Sequence, residues 1–130
     1  MFLEMNRNSC RKVGFQENWK GLFRHELFHV FGITHTQRRK DRNKFITVID
    51  NNILPDERDQ YMMCEACDVS HELPYECNSI MHYTTSTFSL GGRPTMISKN
   101  ERKCKTEDLK WGTSVPTEND WKVLKHALKC

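Results

Sequence analysis

The sequence predicts an α+β fold, and three observations carry that reading. Over residues 19–31 the apolar positions Phe23, Leu27, Val30 and Phe31 fall at i, i+4, i+7 and i+8, the spacing of one helical face. Phe45-Ile46-Thr47-Val48-Ile49 is a short β-branched run typical of a strand, and Gly91-Gly92 with Pro94 marks a turn between two extended pieces, roughly 84–90 and 94–98. Near the end of the chain Thr117 with Asp120 three residues on forms a capping pattern, and Trp121, Leu124 and Leu128 follow on one helical face.

The elements follow in order. Residues 1–18 carry little periodicity beyond a short apolar start. The helix over 19–31 is expected to bury its apolar stripe, which lies nearly opposite His25 and His29, so that one face packs and the other presents the histidines. Residues 51–63 are read as a second helix with Pro55 in its first turn. A cysteine-bearing loop, 64–78, leads to Ser79-Ile80-Met81-His82-Tyr83. No repeat, low-complexity tract or interdomain linker interrupts the chain, so residues 1–130 are read as one domain.

Composition narrows the class. A hydrophobic content of 37% and a charged content of 28% suit a soluble protein with a modest core. A net charge of +3 on scattered residues does not point to nucleic acid. The densest basic cluster, Arg38-Arg39-Lys40-Asp41-Arg42, is interrupted by an acid and reads as solvated or salt-bridged. No segment has membrane-spanning length, and the first residues hold no apolar stretch long enough for a signal peptide. Six cysteines, at 10, 64, 67, 77, 104 and 130, favour disulfides and an oxidising, extracellular setting.

Residues 25–35, His-Glu-Leu-Phe-His-Val-Phe-Gly-Ile-Thr-His, carry the chemistry. His25 and His29 are four apart, about 40° from each other on one helical face. His35 reaches that face only if the chain turns, and Gly32 is placed where a left-handed backbone costs least. Three neutral imidazoles leave zinc one open position for water, and Glu26 can take that water's proton as general base. Peptide-bond hydrolysis is the reaction this set serves best. The pattern resembles the extended metzincin signature.

The second motif sharpens the likeness. Ser79-Ile80-Met81-His82-Tyr83 resembles the Met-turn of the astacin family of zinc metalloendopeptidases. Arg39-x-Asp41-Arg42-x-Lys44-Phe45-Ile46-x-Val48 is similar to that family's R-x-D-R-D-x-Y-V-x-I, Cys10-Arg-Lys-Val13-Gly14 to its C-x-S-x-V-G, and Asp120-Trp121-x-x-Leu124 through Cys130 to its ending. The resemblance implies that His25, His29 and His35 bind one catalytic Zn2+, that Glu26 is the general base, and that Tyr83 is a further zinc ligand that swings away to stabilise the oxyanion. It implies that Met81 packs beneath the metal without binding it. His82 belongs to the motif without acting as a ligand, and His71 and His126 are read as surface residues. The implied architecture is a metzincin- or zincin-like catalytic domain with a central zinc-binding helix, a reduced N-terminal sheet and a mostly irregular C-terminal subdomain.

Departures from the family also set expectations. Thr36 stands where the family places a glutamate that anchors the mature N-terminus, and Asn43 replaces the second aspartate of D-R-D. Only Phe15-Gln-Glu-Asn-Trp-Lys20 separates Gly14 from Gly21, where the family has a substrate-binding edge strand and a further cysteine, which reads as a truncated or partly deleted catalytic domain. The resemblance leaves Cys10 and Cys130 without their usual partners and able to bond each other, with two further disulfides among Cys64, Cys67, Cys77 and Cys104 in an order left open. A structural zinc on Cys64, Cys67 and Cys77 is the competing reading. The expected function is a secreted zinc endopeptidase acting on protein or peptide substrates, with no nucleic-acid or membrane partner. The alternative is a non-catalytic zinc-binding module that holds a protein partner.

Overall fold

The computed structural model describes residues 18–67 and 72–129. Helix α1, Asn18–Val30, lies where the apolar periodicity places it. Gly32 sets its end with a left-handed φ of +84°, and a Cβ there would meet nothing within 4 Å, so backbone angle rather than space selects the glycine. Gly32 N–H donates to the His29 carbonyl at 2.9 Å and Ile33 N–H to the Phe28 carbonyl at 3.0 Å. These are the paired bonds of a Schellman turn, and Phe28 and Ile33 share the buried cluster that such a turn favours.

The face of α1 that packs is not the expected one. Phe23, Leu27, Val30 and Phe31 are 45, 38, 66 and 44% exposed. The helix instead buries Phe28 against Ile33, Ile80, Met81 and Val123. Gly21 lies seven residues earlier on the same face, about a third of a turn from the apolar stripe. A Cβ on Gly21 would come within 2.6 Å of the Ser114 Cβ, and Arg24 Nη1 donates to the Ser114 carbonyl at 3.0 Å. Close approach at Gly21 and the Schellman contact at Phe28 thus decide which face turns inward, against the larger apolar stripe.

Strand β1, Ile46–Val48, pairs antiparallel with β2, Met96–Ser98, with Ile46 opposite Ser98 and Val48 opposite Met96. Ile46 and Met96 enter a second core with Ile53, Tyr61, Tyr75 and Leu109. Residues 51–63 are not an α-helix but two 3-10 segments, Asp50–Asn52 and Pro55–Tyr61. Pro55 has no N–H to continue a helix, and the neighbouring backbone is spent across the chain: Leu54 N–H donates to the Phe88 carbonyl at 2.9 Å and Leu90 N–H to the Asn52 carbonyl at 2.7 Å. Residues 84–90 are turns rather than an extended piece. Thr84 N–H donates to Thr87 Oγ1 at 3.2 Å, and Phe88 has φ +54°, so local hydroxyl bonds displace strand pairing until Ser89 bridges Ile53. The short helix α2, Thr106–Trp111, has no counterpart in the sequence expectation.

Helix α3, Glu118–Ala127, starts with the expected capping box of Thr117 and Asp120. Its apolar face differs from expectation: Trp121 and Leu128 are 49 and 47% exposed, and Val123 is the buried residue. The cause is Asp120, itself 4% exposed. Its carboxylate accepts from Thr117 N–H at 2.9 Å, from Ile80 N–H at 3.0 Å and from Ser79 Oγ at 2.5 Å. The cap therefore turns the Asp120–Val123 side of the helix onto the 79–81 turn.

The disulfides are Cys64–Cys67 and Cys77–Cys104, so all three sulfurs of the supposed structural zinc site are otherwise bonded and that reading is overturned. Cys10, Cys130 and His71 lie outside the described residues. The basic cluster is structural: Arg39, 7% exposed, grips Asp41 through Nε at 2.9 Å and Nη2 at 2.8 Å, and Arg42 donates to the Gln37 and Tyr61 carbonyls. Among the described residues no helix is long and apolar enough to cross a membrane.

Two measurements test this packing. Asp120→Ala removes a helix cap and leaves the Ile80 N–H and the Ser79 hydroxyl without their acceptor, a combined cost of about 2–4 kcal/mol in urea unfolding. A loss below about 0.5 kcal/mol would contradict the tether. The three tyrosines of the chain, Tyr61, Tyr75 and Tyr83, all have pKa values raised above 10, chiefly because burial penalises the phenolate. Their contribution to stability is complete below pH 10 and is lost as pH rises towards the folded values. Ultraviolet titration of the metal-free protein is expected to show less phenolate near pH 10 in the native chain than in urea, and coincident curves would refute the burial.

Candidate metal centre

His25 and His29 stand one turn apart on α1, and the Schellman turn at Gly32 brings His35 back to them. The Nε2 atom of His35 lies 3.0 Å from the Nε2 atoms of both His25 and His29. The opposite edges of the helical rings face carbonyls: His25 Nδ1 donates to Ile80 O and His29 Nδ1 to Ile33 O, each at 2.7 Å. A carbonyl only accepts, so each Nδ1 carries the proton and each Nε2 presents a lone pair inward.

Among the described residues, His25, His29 and His35 form a group placed to hold a metal ion, with ligand atoms within 4.8 Å of one another. The 3.0 Å spacings approach the ~3.3 Å that separates imidazole nitrogens around a tetrahedral zinc with bonds of about 2.0–2.1 Å. The His25 and His29 lone pairs and the His35 Nε2 all face one point, so the donor chemistry fits zinc. Burial, then the neighbouring His29 and His25, lowers the His35 pKa to about 2, and burial lowers that of His25. Both rings stay neutral, the form in which they ligate.

The remaining motif residues gather around this cluster. The Tyr83 ring packs on the His35 ring, centroids 4.3 Å apart, with Tyr61 at 5.5 Å and Phe88 at 5.8 Å on its other sides. Burial, then Tyr61, pushes the Tyr83 pKa up to about 12, so the phenol keeps its proton at neutral pH. Met81 is 1% exposed within the cluster that holds Phe28 and Ile33, and its carbonyl accepts from Thr36 N–H at 3.0 Å. Glu26, half-buried, follows His25 on α1, and its charge works against the burial that lowers the His25 pKa. Thr36 Oγ1 donates to Ser79 Oγ at 3.3 Å, a second link between the two motifs.

Other histidines are placed differently. His126 is exposed. His82 is buried with both ring nitrogens engaged, Nδ1 with the Tyr83 carbonyl at 2.7 Å and Nε2 with the Tyr75 hydroxyl at 2.8 Å. Sequence reasoning missed Gln37, wholly buried, whose Oε1 accepts from Tyr83 N–H at 3.2 Å. No spacing rule marks that residue. It also read Asp120 as a helix cap alone, without its bonds to Ser79 and Ile80.

Comparison with known proteins places this geometry. The family model for astacin, a peptidase family, matches residues 8–126. Zinc metalloproteinase nas-5 of Caenorhabditis elegans is 34% identical over 110 residues, covering 82% of this chain and 30% of that protein. The mouse astacin-like metalloendopeptidase is 37% identical over 78 residues, covering 60% of this chain and 18% of that protein. Among solved structures, high choriolytic enzyme 1, a hatching-enzyme zinc-protease of the medaka Oryzias latipes, superposes with a TM-score of 0.70 at 26% identity, over 85% of this chain and 52% of that one. The chain thus spans about a third or less of the curated relatives and about half of the solved one, and its α+β arrangement is that of the astacin zinc-protease fold. On the match over residues 8–126, the chain belongs to the astacin family of peptidases.

Proposed function

We propose that this chain is a zinc-dependent endopeptidase, folded as one domain and working outside the cell, that hydrolyses peptide bonds in protein or peptide substrates. The convergence of three Nε2 atoms beside an intact Glu26 and Tyr83 carries the reading. The two disulfides support an oxidising compartment.

His25, His29 and His35 would hold the zinc, with their Nδ1–H groups on the Ile80 and Ile33 carbonyls fixing two of the rings. Bound zinc would acidify a water ligand and polarise the scissile carbonyl. Glu26 takes the proton of the attacking water and passes it to the leaving amine. Tyr83, protonated because it is buried, donates its phenolic hydrogen to the oxygen on which charge develops. Were Tyr83 also to bind the zinc, it would do so as the phenolate, having given up that proton.

The alternative, a zinc-binding module that holds a protein partner without cleaving it, draws on the exposed apolar stripe of α1. Two measurements separate the readings. Metal analysis is expected to find one zinc per chain, lost in His29→Ala. Cleavage of a broad peptide library is expected to fall about a hundred- to ten-thousandfold in Glu26→Gln with zinc retained. Zinc without Glu26-dependent cleavage leaves the binding module, and no zinc refutes both.

A further inference from the structure

The two motifs meet at Tyr83, and its backbone is held from both sides by buried side chains. Gln37 Oε1 accepts the Tyr83 N–H at 3.2 Å. On the other side His82 Nδ1 donates to the Tyr83 carbonyl at 2.7 Å, which fixes the His82 tautomer and makes its Nε2 the acceptor for the Tyr75 hydroxyl at 2.8 Å. Tyr75 is itself clamped, stacked on Phe45 with centroids 4.5 Å apart and with the Arg39 guanidinium 5.3 Å from its ring centre. The Tyr83 ring, by contrast, is bordered by the rings of His35, Tyr61 and Phe88 in tilted and edge-on contacts, which fix its position less tightly than hydrogen bonds fix its backbone.

Gln37 is a costly choice for this position. It is 0% exposed, and its Nε2 has no hydrogen-bond partner among the described residues. A buried unpaired donor is unfavourable, and an apolar side chain of the same length would only exchange it for an unpaired Tyr83 N–H, with no net gain or loss. Stability alone gives no reason to keep an amide there. The one thing the amide does in the structure is hold the Tyr83 backbone.

We infer that Gln37 is a positioning residue for Tyr83: it pins the backbone N–H so that the phenol pivots about a fixed point between the histidine cluster and the substrate. The inference rests on the reading of Tyr83 as a metal ligand and oxyanion donor. Gln37→Met keeps length and shape and removes the acceptor. It deletes one buried unpaired donor, Nε2, and creates another, Tyr83 N–H, so the melting temperature changes little.

The test uses the full chain loaded with copper(II), which imidazoles bind as they bind zinc. Coordinated phenolate gives copper a charge-transfer absorption that imidazole does not. The wild type is expected to show that band, Tyr83→Phe to lose it, and Gln37→Met to weaken or shift it with copper stoichiometry unchanged. Gln37→Glu, which keeps an acceptor oxygen, retains it. With zinc restored, Gln37→Met lowers kcat about tenfold with KM little altered, and adds no further loss on top of Tyr83→Phe. A merely structural role would lower activity equally in both backgrounds. Should the methionine variant not fold, the contrast of Gln37→Glu with Gln37→Leu reads the same effect. A wild-type band unchanged in Gln37→Met overturns the role of Gln37 and leaves Tyr83 as ligand. Absence of the band from the wild type overturns both.

Discussion

The placement of the centre depends on one carboxylate. Asp120 joins three chain segments that are far apart in sequence: the start of α3 through Thr117, the turn at Ser79 and Ile80, and, through the Ile80 carbonyl, the imidazole of His25. Each bond uses a different acceptor direction, so the carboxylate sets orientation as well as distance. The residue whose carbonyl hydrogen-bonds the first histidine is thereby held at its N–H by the last helix. Charge-assisted bonds of this kind in a buried setting tolerate little displacement. A small error in the position of α3 would reach the metal centre through Ile80, and through Ser79 and Thr36 beside His35.

What the sequence made legible follows the range of the interactions. The histidine spacing, Gly32 and the Thr117 cap are local devices whose geometry is written within a few residues, and each lies where expected. The misreadings are tertiary. The stripe Phe23, Leu27, Val30 and Phe31 has the right period, but period does not say which neighbour arrives. The contact at Gly21 and Ser114 comes from the far end of the chain. Pro55 and the hydroxyls of 84–87 broke expected elements because Leu54, Thr84 and Thr87 found other hydrogen-bond partners. Gln37 could not be found by pattern at all, since its only mark is a partner 46 residues away.

The centre also shows where rigidity is concentrated. The cluster of Phe28, Ile33, Ile80, Met81 and Val123 fills the space behind the histidines with apolar side chains, which keep their shape without needing hydrogen bonds. The cluster that includes Ile46, Ile53, Tyr61 and Met96 does the same behind Tyr83. A polar set of Thr36, Gln37, Ser79 and His82 links the two motifs by hydrogen bonds, with the Gln37 Nε2 left unpaired. Preorganisation of this kind holds ligands at working distance before any ion arrives.

The Cys77–Cys104 bond spans 27 residues and encloses the Met81–Tyr83 turn together with β2. The exposed Gly91–Gly92 turn lies inside the same covalent ring. A cut at that turn by any protease would therefore sever the backbone without separating the pieces. The halves would stay joined through sulfur, with Tyr83 on one side of the cut and β2 on the other. Such a nicked chain would run as intact until reduced, so the redox state of its surroundings would decide whether a clipped molecule remains a single particle.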